Sequence, residues 1–168
     1  MSDASRVGLA LDDFSEEHSA TLLGWVLSAD DALDWAEAPF LRVGPELLEE
    51  WHAQRGIVPC IARLRGELCA YGQVWEDQVE REAEIARVLV KPELRGQGIG
   101  QSFVALLGLE ARRRGFGLVV ARIARRNRGG YACFRAAGFA RLSPEDEAER
   151  NLDEAEEHVW MRFDGPRA

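Results

Sequence analysis

Leu89-Val90-Lys91-Pro92-Glu93-Leu94-Arg95-Gly96-Gln97-Gly98-Ile99-Gly100 decides how this chain of 168 residues folds. The apolar run Ile85 to Val90 enters it as a strand. Ile99, Phe103, Leu106, Leu107 and Ala111 leave it at i, i+4, i+7, i+8 and i+12, which is one apolar face of a helix over about 99–114. The turn between them carries Gly96, Gly98 and Gly100 with a single arginine, Arg95. A strand, a glycine-rich turn and a helix start make an anion-binding site. Glycine lets backbone approach closely, and the first N–H groups of a helix have no partner inside it.

Downstream, Arg112-Arg113-Arg114 fill the last turn of that helix, where cations suit the helix dipole, and Gly115 and Gly117 stop it. Leu118 to Ala124 reads as a strand parallel to the incoming one, completing a βαβ unit. Asn127 then opens a short helix over 130–137, and Gly138-Phe139 starts a further strand. The acidic stretch after it reads as a loop, and His158 to Phe163 as a closing strand.

Upstream, Val58 to Leu64, a turn at Arg65-Gly66-Glu67, and Leu68 to Trp75 read as a hairpin. Ala83 to Val90 is the third strand of that meander. The first 57 residues offer a short strand over 6–11 and a helix starting at Ser15-Glu16-Glu17-His18 and running to Leu27. A second helix over 32–37 ends before Pro39, and a third spans 45–54 with Leu47, Leu48 and Trp51 at helical spacing.

Composition narrows the function. The length suits one domain, residues 1–168, with a substantial core. No apolar run approaches the ~20 residues that cross a bilayer. The first residues show no basic-then-apolar signal, so no membrane partner is expected and the expected location is cytoplasmic. Cys60, Cys69 and Cys133 are too scattered for a disulfide framework, and with His18, His52 and His158 they form no metal spacing, so no metal is expected. The net charge of −8 is unevenly spread. Residues 91–128 hold nine Lys/Arg against two Glu, residues 1–87 seven Arg against eighteen acids, and residues 141–158 two Arg against eight acids. A basic middle in an acidic protein points to a polyanionic ligand there and a cationic partner elsewhere. Overall acidity, and the lack of aromatics around Arg112 to Arg114, argue against nucleic acid.

Three nucleotide-binding patterns compete for the glycine loop. G-x-G-x-x-G fails, because no third glycine follows at the required spacing. The P-loop G-x-x-x-x-G-K-[ST] fails, because no lysine follows Gly100. R-x-x-G-x-G, preceded by V-x-P, fits Arg95, Gly98 and Gly100 after Val90 and Pro92. Further on, Asn127 and Gly138-Phe139 stand at the spacing of N-x-x-A-x-x-x-Y-x-x-x-G-F. These two ordered motifs, covering about a third of the chain, resemble the GNAT superfamily of acyl-CoA-dependent N-acyltransferases. The resemblance implies an α/β (α+β) fold whose mixed, mostly antiparallel central sheet has six or seven strands flanked by about four helices. The helices of the first 57 residues would then cover the substrate side.

The resemblance also implies roles. Val88, Leu89 and Val90 would pair with the pantetheine arm of acetyl-CoA as an added strand would. Arg95, Gly96, Gln97, Gly98, Ile99, Gly100 and Gln101 would hold its pyrophosphate, Arg95 as the counter-charge. Asn127 would bond the pantetheine or order the loop beneath it, and Phe134 would line the same site. Arg125, Arg126 and Arg128 are candidates for the nucleotide phosphate. The family pattern puts at position 134 a tyrosine that protonates the departing thiolate, and Phe134 has no proton to give. Tyr131 is the candidate substitute, with Cys133 nearby; a bound water, or departure without direct protonation, is the alternative. Glu84 stands where several members carry a catalytic glutamate. A carboxylate in an apolar strand has its pKa raised and suits a general base, unless Glu84 merely faces solvent on an alternating strand. Glu82 and Glu76 are weaker candidates.

The implied activity is transfer of an acetyl group from acetyl-CoA to a primary amine by direct attack in a ternary complex. The acceptor would be a small cationic molecule or a protein or peptide N-terminus, drawn by the acidic first half. The alternative is a non-catalytic acyl-CoA-binding or regulatory module, for which Phe134 speaks. Dimers are frequent in the family, which leaves a homodimer open.

Overall fold

The computed structural model describes residues 8–152, 154 and 157–166. Seven strands form one sheet: β1 (Leu9–Asp13), β2 (Ile57–Leu64), β3 (Glu67–Asp77), β4 (Glu82–Val90), β5 (Leu118–Ala124), β6 (Phe139–Arg141) and β7 (His158–Phe163). Their order is β1-β2-β3-β4-β5-β7-β6, antiparallel throughout except for β4 and β5. Among the described residues six α-helices decorate it: α1 (Ser19–Leu23), α2 (Ala29–Ala36), α3 (Pro45–His52), α4 (Ile99–Arg113), α5 (Arg128–Ala136) and α6 (Pro144–Arg150). Four of them, α2 to α5, have eight residues or more. This is the mixed, mostly antiparallel architecture expected. None of the described helices is long and apolar enough to cross a membrane.

The sheet buries both faces, so the core comes in two parts. On one face Phe103, Val104, Leu107 and Ala111 of α4 meet Val74, Ile85, Val119 and Ala121, with Phe139 and Phe163 closing the end. On the other, Leu22, Trp25, Trp35, Leu48 and Trp51 from α1 to α3 meet Ile61, Tyr71 and Leu89. Side-chain alternation along a strand produces this division: Tyr71 joins one cluster and Val74 the other. Burial of these side chains, at roughly 1.5–3 kcal/mol for each large one, dominates the stability.

Several expected boundaries shift for local reasons. The first helix breaks into a 3-10 turn, Glu16–His18, and α1, which stops at Gly24. The second starts at Ala29, because the Ser28 hydroxyl accepts from the Asp31 N–H at 3.1 Å and caps it. The acidic loop expected after β6 contains a helix. Ser143 caps α6, Pro144 takes its first position, and Glu145, Asp146 and Glu147 fill its first turn. Of the first strand, expected from Arg6, residues 6 and 7 lie outside the described residues, and β1 begins at Leu9.

Candidate functional site

The site begins as a fault in the sheet. Tyr71 faces Leu89 and Gln73 faces Ala86, so Arg87 and Val88 together oppose the single residue between them. Arg87 takes φ of 51° there, and its carbonyl accepts the Trp35 indole N–H at 2.9 Å. The irregularity therefore starts at Arg87, just before the stretch Val88 to Val90. β4 pairs with β5 only from Glu82 to Glu84, opposite Leu118 to Val120. Beyond Glu84 the two strands part, and the edge of β4 from Ile85 onward has no strand beside it on that side.

A cavity of about 830 Å³ fills the opening. Ile85 to Val90 form one wall, and Arg122, Ile123 and Ala124 of β5 with residues of α5 the other. One end reaches the glycine loop through Arg95, Gly96, Gly98, Gly100, Gln101 and Asn127. There Gly98 caps α4 with φ of 83°, and no side chain caps the helix, so its first N–H groups are free to face a ligand. A β-carbon on Gly100 would lie 3.1 Å from the Cys133 sulfur and 3.4 Å from a Val90 methyl, which is why the loop stays bare there. The other end carries Trp35, Glu37, Trp75, Glu84, Arg87 and Arg122.

The candidate residues sort plainly. Glu84, Val88, Leu89, Val90, Arg95, Gly96, Gly98, Gly100, Gln101, Asn127 and Phe134 line this one cavity. Gln97, Ile99 and Tyr131 do not. Gln97 is exposed and donates to the Glu93 carbonyl at 2.7 Å, and Ile99 is buried in the core. Tyr131 packs against the main core, within electrostatic reach of Arg141. The expectation that it replaces the missing acid is therefore corrected: the residues of α5 that face the cavity are Gly129, Gly130, Ala132, Cys133, Phe134 and Ala136. Burial pushes the Cys133 thiol up to about 11, so it holds its proton too firmly to serve instead. Phe134 packs edge-on against Phe139 at 5.1 Å.

Arg95 is also recast. Its guanidinium donates to the Val90 carbonyl at 3.1 Å, to Asp31 at 2.9 Å and to the Trp25 carbonyl at 2.8 Å, so it ties the loop to α2. Arg125 pairs with Glu147 and Glu157, and Arg126 with Asp34. Neither lines the cavity, nor does the exposed Arg128. The basic middle of the chain is largely spent on its own acidic flanks.

Glu84 faces the cavity beside Trp75 and Val120. Its carboxylate lies 3.1 Å from Nε of Arg122, whose other end reaches Glu154 at 2.8 Å. Burial pushes the Glu84 carboxyl up to about 7, and Arg122 opposes this only in part. It is not the solvent-facing residue of an alternating strand. Glu82 pairs with Arg150 and Glu76 with Arg114, and neither lines the cavity.

A model of the acetyltransferase (GNAT) family matches residues 22–139, most of the chain. The chain belongs to the GNAT acetyltransferase family. It is an acyl-CoA-dependent N-acetyltransferase, and acetyl-CoA is its co-substrate. Solved structures share the GNAT fold. An aminoglycoside acetyltransferase, AAC(6')-Ib, in complex with coenzyme A and kanamycin matches with 22% identity and a TM-score of 0.69, covering 92% of this chain and 93% of that one. A ribosomal-protein-alanine N-acetyltransferase from Brucella melitensis matches with 22% identity and a TM-score of 0.65, covering 91% and 98%. A spermidine N-acetyltransferase chimera from Vibrio cholerae and hSSAT matches with 12% identity and a TM-score of 0.68, covering 92% and 93%. No curated protein matches the sequence. In this GNAT chain the unpaired β4 edge, the uncapped start of α4 and the cavity joining them fit a pantetheine arm and a pyrophosphate.

Two features had weak or no sequence signal. Arg87 reaches the site only through a bulge, which no local pattern marks. Trp35 and Trp75 carry no mark of a site in the sequence, yet both line the cavity.

Proposed function

We propose that the chain acetylates a primary amine of a small cationic molecule or of a protein or peptide N-terminus, with Glu84 as general base. The observation that carries this reading is Glu84 itself, a buried carboxylate poised near 7 on the cavity wall. Of the acids on the cavity wall, Asp31 and Asp34 are paired with Arg95 and Arg126, and Glu37 would draw an ammonium inward. The structural neighbours named above act on an aminoglycoside, a ribosomal-protein alanine and spermidine, all amines.

Bound acetyl-CoA supplies a thioester whose carbonyl carbon bonds to the amine nitrogen as the C–S bond breaks, its electron pair leaving on sulfur. The chain does the rest. Backbone N–H groups from Gly98 to Gln101 hold the pyrophosphate, and the free edge of β4 from Val88 to Val90 pairs with the pantetheine. Glu84 takes the proton that the amine nitrogen sheds and passes it to solvent. A β4 N–H at the bulge stabilises the carbonyl oxygen as charge builds there. Phe134 gives no proton, so the thiolate takes one from water. Positioning of the two reactants in one cavity supplies much of the acceleration.

Phe134 also favours a second reading, an acyl-CoA-binding module without turnover. Acetyl-CoA mixed with a panel of amines and N-terminal peptides, followed by thiol release, decides. Release with one amine class establishes the enzyme and its acceptor. Tight acetyl-CoA binding with no release from any amine overturns the reading in favour of the module.

A further inference from the structure

Arg87 has no role in the chemistry above, and its surroundings are unlike those of the other cavity arginines. Arg95 and Arg122 each meet a carboxylate at 2.8–3.1 Å. Arg87 has no ion pair among the described residues. Its Nε is buried without a hydrogen-bond partner, and among the described residues its guanidinium makes one hydrogen bond, a long one of 3.5 Å, to the Trp35 carbonyl. Glu37 and Glu84 are near enough to be felt, yet Glu37 lies 3.7 Å from His158 and Glu84 faces Arg122.

The guanidinium is nevertheless held firmly. It stacks 3.8 Å from the centre of the Trp51 ring and lies 5.3 Å from that of Trp75. Rings against a flat guanidinium leave its N–H groups pointing outward in the plane, the arrangement that grips a carboxylate with two parallel bonds. The backbone that places it is left-handed, φ 51°, which a residue other than glycine adopts only at a cost of about 1–3 kcal/mol. A half-buried cation without a counter-ion, on strained backbone, facing a cavity, is incomplete until an anion arrives. Burial already works against its charge.

We propose that Arg87 binds a carboxylate on the acceptor, so that the acceptor is an amine that also carries a carboxylate, of the size of an amino acid or a short peptide. Scale supports the small size. Arg122 also lies 5.3 Å from the centre of Trp75, so the two guanidiniums are no more than twice that distance apart, and Glu84 touches Arg122. An acceptor whose carboxylate sits on Arg87 reaches Glu84 with its amine over a few bonds. A polycation without a carboxylate would leave Arg87 unpaired and repel it. The inference rests on the acetyltransferase reading and narrows its acceptor; the transfer step is the one already written.

The test compares, in the unaltered protein, amino acids and dipeptides with their C-terminal amides, and with spermidine. The carboxylate acceptors should exceed their amides in kcat/KM by roughly 10- to 100-fold, the range of a charge-assisted bidentate pair. Arg87→Gln should remove that preference while calorimetry shows acetyl-CoA binding unchanged, and Arg87→Lys should restore part of it. Where turnover is absent, calorimetric binding of the same acceptors to the CoA-saturated protein gives the same comparison. Equal use or equal binding of acid and amide overturns the proposal, as do preference for spermidine and binding of neither acid nor amide. Failure to bind acetyl-CoA at all is a different result and would overturn the acetyltransferase reading instead.

Discussion

At the scale of single residues, Glu84 is where fold and chemistry conflict. Its carboxyl is carried from 4.5 to about 7 by burial, with Arg122 offsetting only part of the cost. An acid whose folded pKa is raised favours the fold while protonated. That contribution is complete below pH 4.5 and is lost as pH rises to about 7. The proposed role as general base needs the opposite state, so turnover should rise through pH 7 as the base is freed. Glu84→Gln should lower kcat by roughly 100- to 10,000-fold, abolish that rising limb, and leave acetyl-CoA affinity within about two-fold. The variant should also be no less stable at pH 8 by urea unfolding, because a neutral amide escapes the desolvation cost. A kcat loss with the rising limb intact would place the base elsewhere.

Glu84 was legible as a candidate because it stands, six residues before Val90, at the position resembling the family's catalytic glutamate; its partner Arg122 was not, being 38 residues away. The same contrast holds for Tyr131. Its nearness to position 134 suggested a substitute acid, but α5 turns Gly130, Cys133 and Phe134 to the cavity and packs Tyr131 on the core. Spacing along a short helix does not fix which side chain meets a cavity whose walls come from other elements.

At the scale of elements, β3 carries a polar chain through the core. The Trp75 indole donates to Gln73 at 2.7 Å, the Gln73 amide donates to the Tyr71 hydroxyl at 2.6 Å, and that hydroxyl meets His52 Nε2 at 2.9 Å. Tyr71, Gln73 and Trp75 alternate onto one face of β3, so the chain runs along that face from His52 and orients Trp75 on the cavity wall. Tyr71 and Gln73 are both fully buried, so removing the hydroxyl strands an amide proton with no water to take it. Tyr71→Phe should lower the unfolding free energy by about 1–3 kcal/mol, read from urea midpoints at unchanged m-value. Burial holds the His52 pKa below its usual 6.5. Its neutral form therefore favours the fold fully above pH 6.5, and the benefit falls away as pH drops below that value.

The start of α4 gives a second element-scale prediction. Gly98 stands at φ 83°, with only the Gln101 side chain near a would-be β-carbon, at 3.6 Å. Gly98→Ala meets strain rather than a clash and should cost about 1 kcal/mol of stability. It should weaken acetyl-CoA about tenfold by calorimetry, as the loop rotates its N–H groups away from the anion. An affinity equal to that of the unaltered protein would show that the pyrophosphate is held elsewhere. This element was fully legible in sequence, because its glycines, its arginine and the helix period all sit within one short stretch. The helix α6 is harder to see in sequence, although Ser143-Pro144 and three acids spell a helix start, because so charged a stretch equally suits a loop.

At the scale of the whole molecule, charge and topology tell one story. In sequence the basic middle has the footprint of a polyanion site. Folding instead spends Arg95 on Asp31, Arg114 on Glu76, Arg122 on Glu84 and Glu154, Arg125 on Glu147 and Glu157, and Arg126 on Asp34. These pairs stitch the acidic flanks to the centre, so in the proposed binding mode mainly backbone at the start of α4 would hold the anion. Composition along a chain cannot separate a ligand's counter-charge from a neighbour's, because the pairing partners are decided only by the fold.

The sheet itself is nearly two sheets. β1 to β4 form one half and β5 to β7 the other, joined directly at Glu82–Glu84 against Leu118–Val120. A ligand in the opening touches both halves and completes the missing seam, so it should stabilise the molecule as a unit rather than one loop. At a concentration 100 times its dissociation constant, acetyl-CoA should add about 2.7 kcal/mol, which for a chain of this size is a rise in Tm of roughly 5–10 °C. Hydrogen exchange should show the new protection on both sides of the seam, in the amides of 85–90 and 122–124 as well as in the glycine loop. Protection confined to residues 96–101 would mean that the pyrophosphate binds without the pantetheine entering the opening. The free edge of β4 would then lose its assigned part.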